Sequence, residues 1–160
     1  MPRDEPVGMR RATVQVTDIE ADYVVIGAGA MGMAFVDEIL TYSDATVAMI
    51  DRHPRPGGHW NDAYPFVRLH QPSYFYGVSS TTLGTDRIDD TGLNSGMSEL
   101  ASGSEGCAYF DQVMQRRFLS SGRVEYFPNA EYAGGVVTSP PSGARIGIVA
   151  KRAVVAANLN

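Results

Sequence analysis

The sequence predicts an α/β fold organised around a parallel sheet, and three observations carry that prediction. A short β-branched run, Val24-Val25-Ile26, leads directly into Gly27-Ala28-Gly29-Ala30-Met31-Gly32. A helical pattern follows, and a second apolar run, Thr46 to Ile50, ends on Asp51. Helix and strand patterns then repeat between residues 105 and 127. Strand, helix, strand, helix, strand is the element order of a doubly wound sheet.

The first strand is short and β-branched, as suits a strand buried on both faces. The helix after it is predicted from about Ala30 to Thr41. Met33, Phe35, Val36, Ile39 and Leu40 recur at helical spacing, and Asp37 and Glu38 are expected to face solvent. A second helix is expected from Glu105 to about Leu119. Cys107, Tyr109, Phe110, Val113, Met114 and Phe118 form its apolar face. Arg116 and Arg117 fall in its last turn, where they complement the dipole, and Ser121-Gly122 supply the stop. The third strand is predicted from Arg123 to Phe127. Three further β-rich segments, Glu131 to Thr138, Ala144 to Ala150 and Arg152 to Ala157, read as an antiparallel meander, with a bend expected near Lys151.

The loop between the first strand and helix has the composition of a dinucleotide site. Gly27 allows the tight turn, Gly29 lets a pyrophosphate approach the backbone, and Gly32 lets the helix pack closely on the strand. The helix N-terminus offers free N–H groups and positive dipole character. Asp51 stands 19 residues after Gly32, where an acid is expected to accept the ribose hydroxyls of adenosine. An acid at this position disfavours a 2′-phosphate there.

From Asp51 the chain continues Arg-His-Pro-Arg-Pro-Gly57-Gly58-His59-Trp60, then Tyr64-Pro65 and Arg68. This resembles the flavin-containing monooxygenases and the related Baeyer–Villiger monooxygenases, in which the ribose acid is followed by Gly-Gly-x-Trp, Tyr-Pro and Arg. The resemblance covers residues 22–80 well and residues 105–157 more loosely. Asp51 replaces the Glu more usual at the ribose position, and Ala157 and Asn158 stand where Thr and Gly are expected. The resemblance implies a Rossmann-like sheet with an inserted antiparallel meander, of the FAD/NAD(P)-binding type. It also implies FAD as cofactor, with NADPH used only if a further domain exists. Gly57 and Gly58 would let backbone approach the pyrophosphate and ribityl region, and Trp60 would shape the flavin pocket. Trp60, Tyr64 and Phe66 also read as a packed aromatic patch.

The candidate cofactor-binding residues are therefore Gly27, Ala28, Gly29, Ala30, Met31 and Gly32 in the first loop, Asp51 and Arg52 after the second strand, and Gly57, Gly58, His59 and Trp60 in the second glycine turn. Arg52 reads equally as an exposed arginine. No residue stands out as a catalytic acid, base or nucleophile. His53, His59 and His70 lack metal-ligand spacing, and a solvated or hydrogen-bonded histidine is the simpler reading of each.

Composition narrows the function classes. The chain has 160 residues, 44% hydrophobic and 19% charged, with a net charge of −5. That is enough for one domain with a core, and the absence of a basic stripe argues against nucleic acid as a partner. A single cysteine, Cys107, excludes an intramolecular disulfide and fits a reducing, cytoplasmic setting. No apolar run reaches the roughly 20 residues of a membrane helix, and no apolar segment near the N-terminus has the form of a secretory signal.

Residues 1–20 read as a flexible lead-in, and residues 21–160 as the N-terminal part of an FAD/NAD(P)-binding domain. A long loop of about 72–104, rich in Ser, Thr, Gly and Asp, is expected to be either functional or a mobile excursion, with a short helical turn at Met97 to Leu100. No second Gly-x-Gly-x-x-Gly follows residue 60, so the fold is expected to be incomplete, with self-association through an open sheet as a possibility. The reading that results is the FAD-binding portion of an NAD(P)H-dependent, monooxygenase-like flavin oxidoreductase acting on an unidentified small molecule. The alternatives are a stand-alone NAD or adenine-nucleotide module, or a non-catalytic remnant of a longer flavoenzyme.

Overall fold

A computed structural model describes residues 17–157. Eight regular elements follow in order: β1 (Thr17–Ile26), α1 (Ala30–Tyr42), β2 (Val47–Ile50), α2 (Gly103–Val113), β3 (Val124–Phe127), β4 (Glu131–Ala133), β5 (Val136–Ser139) and β6 (Ala144–Val155). They form one six-stranded sheet in the order β3-β2-β1-β6-β5-β4. β3, β2, β1 and β6 are mutually parallel, and β4 and β5 continue the sheet antiparallel. This is the Rossmann-like sheet with a meander that the element order predicted.

The sheet separates two apolar clusters. On one face Val25, Val47, Met49 and Val124 meet Met33, Val36 and Leu40 of α1 and Phe110 and Val113 of α2. On the other, Val24, Ala48 and Ile50 are covered by Ala130, Val137 and Ile148, with Phe127 and Tyr132 at the margin. The alternation of Val24 and Val25 between these clusters is the period-2 consequence of a strand buried on both faces.

Several boundaries differ from the sequence expectation. β1 begins at Thr17, so residues 17–20, assigned to the lead-in, belong to the strand. Their partner is β6, and Ile19 lies opposite Ile148. Residues 1–16 of the lead-in lie outside the described residues. The segment 131–138 is two strands rather than one, because Gly134 and Gly135 both adopt positive φ (57° and 83°) and supply a two-residue hairpin turn. Conversely, no bend occurs at Lys151: β6 runs unbroken for 12 residues. Lys151 reaches Asp22 across the strand at 2.6 Å, and Arg152 reaches the Tyr23 hydroxyl at 2.9 Å.

α2 starts at Gly103, two residues earlier than expected. Ser102 caps it by accepting the Glu105 N–H, while Glu105 accepts the Ser102 N–H in return, a full capping box. The expected last turns are a π turn at Met114–Phe118 and a 3₁₀ turn at Leu119–Ser121, closed by Gly122 at φ 69°.

The long segment before α2 folds back on itself. Backbone bonds join Asp89 N–H to Met97 O and Glu99 N–H to Arg87 O, and Ile88 bridges Ser98. The expected helical turn at Met97 to Leu100 is absent because those residues are extended in this pairing.

Asp37 is the largest departure. It is fully buried, accepting the Ser80 N–H and hydroxyl at 2.8 and 2.6 Å and the Arg117 Nε at 2.9 Å. Burial disfavours its charge, yet the Ser80 and Arg117 bonds outweigh that and hold its carboxyl below the usual carboxylate range. Asp37 shares the buried stripe of Met33, Val36 and Leu40, and that spacing is the signal that could have flagged it.

Candidate functional site

The candidate residues converge at the carboxyl ends of the parallel strands, where open α/β sheets place their ligand crevice. β1 ends at Ile26, and Gly27 turns the chain at φ 109°. A Cβ at Gly27 would meet the Ala156 backbone at 3.0 Å, so the end of β6 packs against this turn. Gly32 lies under the same turn, where a Cβ would stand 1.9 Å from the Gly27 carbonyl oxygen. The glycine spacing is thus imposed by backbone contact.

α1 begins just past Gly29 with no side-chain cap and no acid in its first turn. The contrast with the capping box of α2 is informative, because the first N–H groups of a helix have no partner within it. Among the described residues, no side chain takes their place at α1. Met31 projects into solvent from this turn, 75% exposed, so its contribution to a ligand would be through backbone rather than packing.

The second glycine turn lies directly against the first. Gly57 N–H donates to the Ala28 carbonyl at 2.9 Å. Gly57 and Gly58 have φ of 121° and 55°, in the region that favours glycine. A Cβ at Gly58 would fall 2.9 Å from Gly29 Cα. Two loops distant in sequence therefore share one backbone surface, which a side chain at Gly58 would disrupt, whereas a Cβ at Gly29 would make an ordinary 3.4 Å contact.

Asp51 directly follows β2 and is buried. Its Oδ2 accepts the Ala28 N–H, and its Oδ1 accepts the His53 N–H at 2.7 Å and faces His53 Nδ1 at 2.8 Å. A carboxylate offers about four lone-pair sites, so room remains for one further donor. The strand ends are stitched around it: Asp51 N–H donates to Phe127 O, Ala130 N–H to Asp51 O, and Asn129 N–H to His53 O.

The remaining candidates separate. Trp60, half-buried in the 3₁₀ turn Gly58–Asn61, stacks on His59 with ring centroids 4.5 Å apart and meets Tyr76 edge-on. Arg52, His59 and His70 are exposed. Tyr64 and Phe66 are 57% and 82% exposed, which corrects their reading as packed core. They stack on each other at the surface, while Leu69 of the same segment is buried in the core. Arg68 donates to the Leu100 carbonyl at 2.8 Å and thereby pins the long segment. Cys107 is buried beside Gly57, and burial pushes its thiol pKa up, consistent with an inert apolar role.

The sequence reading passed over His53, which is buried and bridges Asp51 to Asp62, each at 2.8 Å. Its spacing from the two acids carries no recognised pattern; only the fold brings Asp62 back to it. A separate cavity of about 490 Å³ lies under the long segment, lined by Arg68, Arg87, Glu99 and Gln112 among others, away from the glycine turns. Among the described residues, no group of three His, Cys, Asp or Glu is placed to hold a metal, and no helix is long and apolar enough to cross a membrane.

Residues 25–81 match the family described as NAD(P)-binding Rossmann-like domain, a span that contains both glycine turns and Asp51. The chain superposes on a flavin-containing monooxygenase from Stenotrophomonas maltophilia with a TM-score of 0.56 at 19% identity, over 86% of this chain and 38% of that one. For a steroid monooxygenase bound to NADP the TM-score is 0.61 at 22% identity, over 89% and 27% of the two chains. The chain has the Rossmann-like fold of these flavin monooxygenases. A bacillithiol disulfide reductase from Staphylococcus aureus shares that fold at a TM-score of 0.61 and 8% identity, over 87% and 38% of the chains. In sequence, uncharacterized proteins from Mycobacterium tuberculosis and Mycobacterium bovis are 62% identical over 116 residues. That match takes in 72% of this chain and spans 22% of the length of those relatives.

Proposed function

We propose that these residues form the adenosine and pyrophosphate end of an FAD site belonging to an NAD(P)H-dependent, monooxygenase-like flavin oxidoreductase. The observation that carries the reading is the meeting of Gly29 and Gly58 at the uncapped start of α1, with Asp51 at the adjoining strand end. A side-chain-free backbone surface at a helix N-terminus is suited to a pyrophosphate, and a buried carboxylate with one open acceptor site is suited to a ribose hydroxyl.

In this reading the N–H groups of Ala30, Met31 and Gly32 and the backbone at Gly29 and Gly58 hold the pyrophosphate. Asp51 orients the ribose, and its own orientation is fixed by the Ala28 and His53 N–H groups. Trp60, packed on His59, shields the turn from water on the flavin side. FAD would supply hydride acceptance and, in monooxygenases, oxygen transfer; this chain's residues bind and orient it. A small-molecule substrate and a cytoplasmic setting belong to the same proposal.

A second reading, an NAD or adenine-nucleotide module, is favoured by the matched family's description as NAD(P)-binding. The purified chain, supplied with FAD, desalted and examined by visible absorption, distinguishes the two. Retention of flavin near one per chain supports the FAD reading, and Asp51→Ala should then weaken binding about 10- to 100-fold through loss of a charged hydrogen bond. A folded, colourless protein that binds NAD would overturn it in favour of the second reading.

A further inference from the structure

The His53 bridge has a chemical requirement that decides its role. Nδ1 lies 2.8 Å from Asp51 Oδ1, and Nε2 lies 2.8 Å from Asp62 Oδ2. A neutral imidazole has one N–H and one lone pair. With a carboxylate at each nitrogen, a neutral ring would set its lone pair against an acceptor oxygen. Only the imidazolium can donate to both acids at once.

The two acids belong to different parts of the site. Asp51 is the strand-end acid, and Asp62 closes the 3₁₀ turn Gly58–Asn61 that carries the second glycine pair. We infer that His53 is a positioning residue for the nucleotide, an imidazolium clasp that fixes the ribose acid relative to the second glycine turn, so that nucleotide affinity falls as His53 loses its proton. The inference rests on the site being a dinucleotide site, but it applies equally to FAD and NAD.

The surroundings are consistent with the charged form. Asp51, after β2, and Asp62, at the end of the turn, are the charged groups bonded to the ring; Arg52 and His59 act on Asp62, and Tyr126 of β3, whose buried hydroxyl has no partner among the described residues, lies near Asp51. Burial alone would push the ring toward neutrality, but the bonds to Asp62 and Asp51 outweigh it, and its pKa is raised above the ordinary 6.5. The sign follows: the clasp is complete below the ordinary histidine value and is lost as pH rises through the raised one. Asp51 keeps its bonds to the Ala28 and His53 N–H groups in both states, so deprotonation frees Asp62 and the turn rather than the ribose acid itself.

The test uses ADP-ribose, which carries the adenosine ribose and pyrophosphate common to FAD and NAD and has no phosphate titrating near neutrality. Its Kd is measured by calorimetry at pH about 6.5 and about 9, a range that spans a histidine titration raised above its ordinary value, for the wild-type chain, His53→Gln and Asp62→Asn. FAD is measured in parallel. Asp62 is exposed at the surface, so its variant preserves the fold even if His53→Gln does not. The expected result is an affinity at least about fivefold weaker at the higher pH in the wild type, and a flat profile in both variants. A wild-type profile that is flat, or a slope that survives in Asp62→Asn, overturns the inference. Clasp-dependent binding of ADP-ribose without binding of FAD would uphold the inference while sinking the FAD reading. Binding of neither nucleotide at either pH would overturn both.

Discussion

The same substitution, Gly→Ala, should have opposite signs in the two helices. In an unconstrained helix interior, alanine is favoured over glycine by about 1 kcal/mol. At Gly106, in α2, no atom outside the helix's own backbone lies within 4 Å of the added methyl position, so Gly106→Ala should stabilise the protein by up to about 1 kcal/mol. At Gly32, in α1, the methyl would stand 1.9 Å from the Gly27 carbonyl oxygen. It must retreat by about 1.5 Å to reach an ordinary contact of about 3.5 Å. The helix would then lift Met33, Val36 and Leu40 away from Val25 and Met49, the contacts that close the core on that face. Overpacking of this kind costs about 1–3 kcal/mol, and the loosened packing adds to it. After the intrinsic gain is subtracted, overpacking alone leaves up to about 2 kcal/mol of loss, which the loosened packing raises further, so Gly32→Ala should be about 2 kcal/mol less stable than wild type. Urea denaturation followed through Trp60, the single tryptophan, measures both. Wild-type stability for Gly32→Ala, or a loss above about 1 kcal/mol for Gly106→Ala, would refute the claim that backbone contact imposes the glycine spacing.

Two further substitutions test buried polar groups. Asp37→Ala leaves the Ser80 and Arg117 donors unmatched and should cost about 2–3 kcal/mol, below the full value for a buried pair because Arg117 is a third exposed. Because the Asp37 carboxyl is held below its usual range, its contribution is present above the ordinary carboxylate value and is lost as pH falls through the lowered one. The variant should therefore show a shallower acid dependence of stability, and an unchanged acid limb in the urea midpoint would contradict this. Tyr126→Phe removes a buried hydroxyl that has no partner among the described residues and should leave thermal stability unchanged or raise it by up to about 1 kcal/mol; a lower melting temperature would contradict this.

How much could be read in advance varied with the range of the interaction. The run from Val24 through Gly32 to Asp51 was legible because its determinants are local: a β-branched strand, a glycine turn, a periodic helix and an acid at the next strand end. The hairpin at Gly134-Gly135 and the capping box from Ser102 to Glu105 are also local, and both were present in the sequence to be read. Asp37 and His53 were not legible in the same way. The partners of Asp37 stand 43 and 80 residues away, and Asp62 reaches His53 only because the second glycine turn folds over the first. The unbroken course of β6, where a bend was expected near Lys151, likewise depends on its pairing with β1 on both sides of that residue.

The position of β6 has a consequence for how the chain reaches its native state. Late in the chain but central in the sheet, β6 pairs with β1 across a separation of 129 residues, as at Tyr23 and Arg152. Contacts this distant slow folding, because loop-closure entropy is lost before the contact is gained. On the ribosome, β1, α1 and β2 can assemble early, but the other edge of β1 stays unpaired until the chain beyond Ala144 has been made. The first glycine turn ripens with it: Ala156 N–H donates to the Ile26 carbonyl at 2.8 Å, so the turn takes its final shape only when β6 arrives. Nascent chains halted before that strand should therefore be open to strand-edge association.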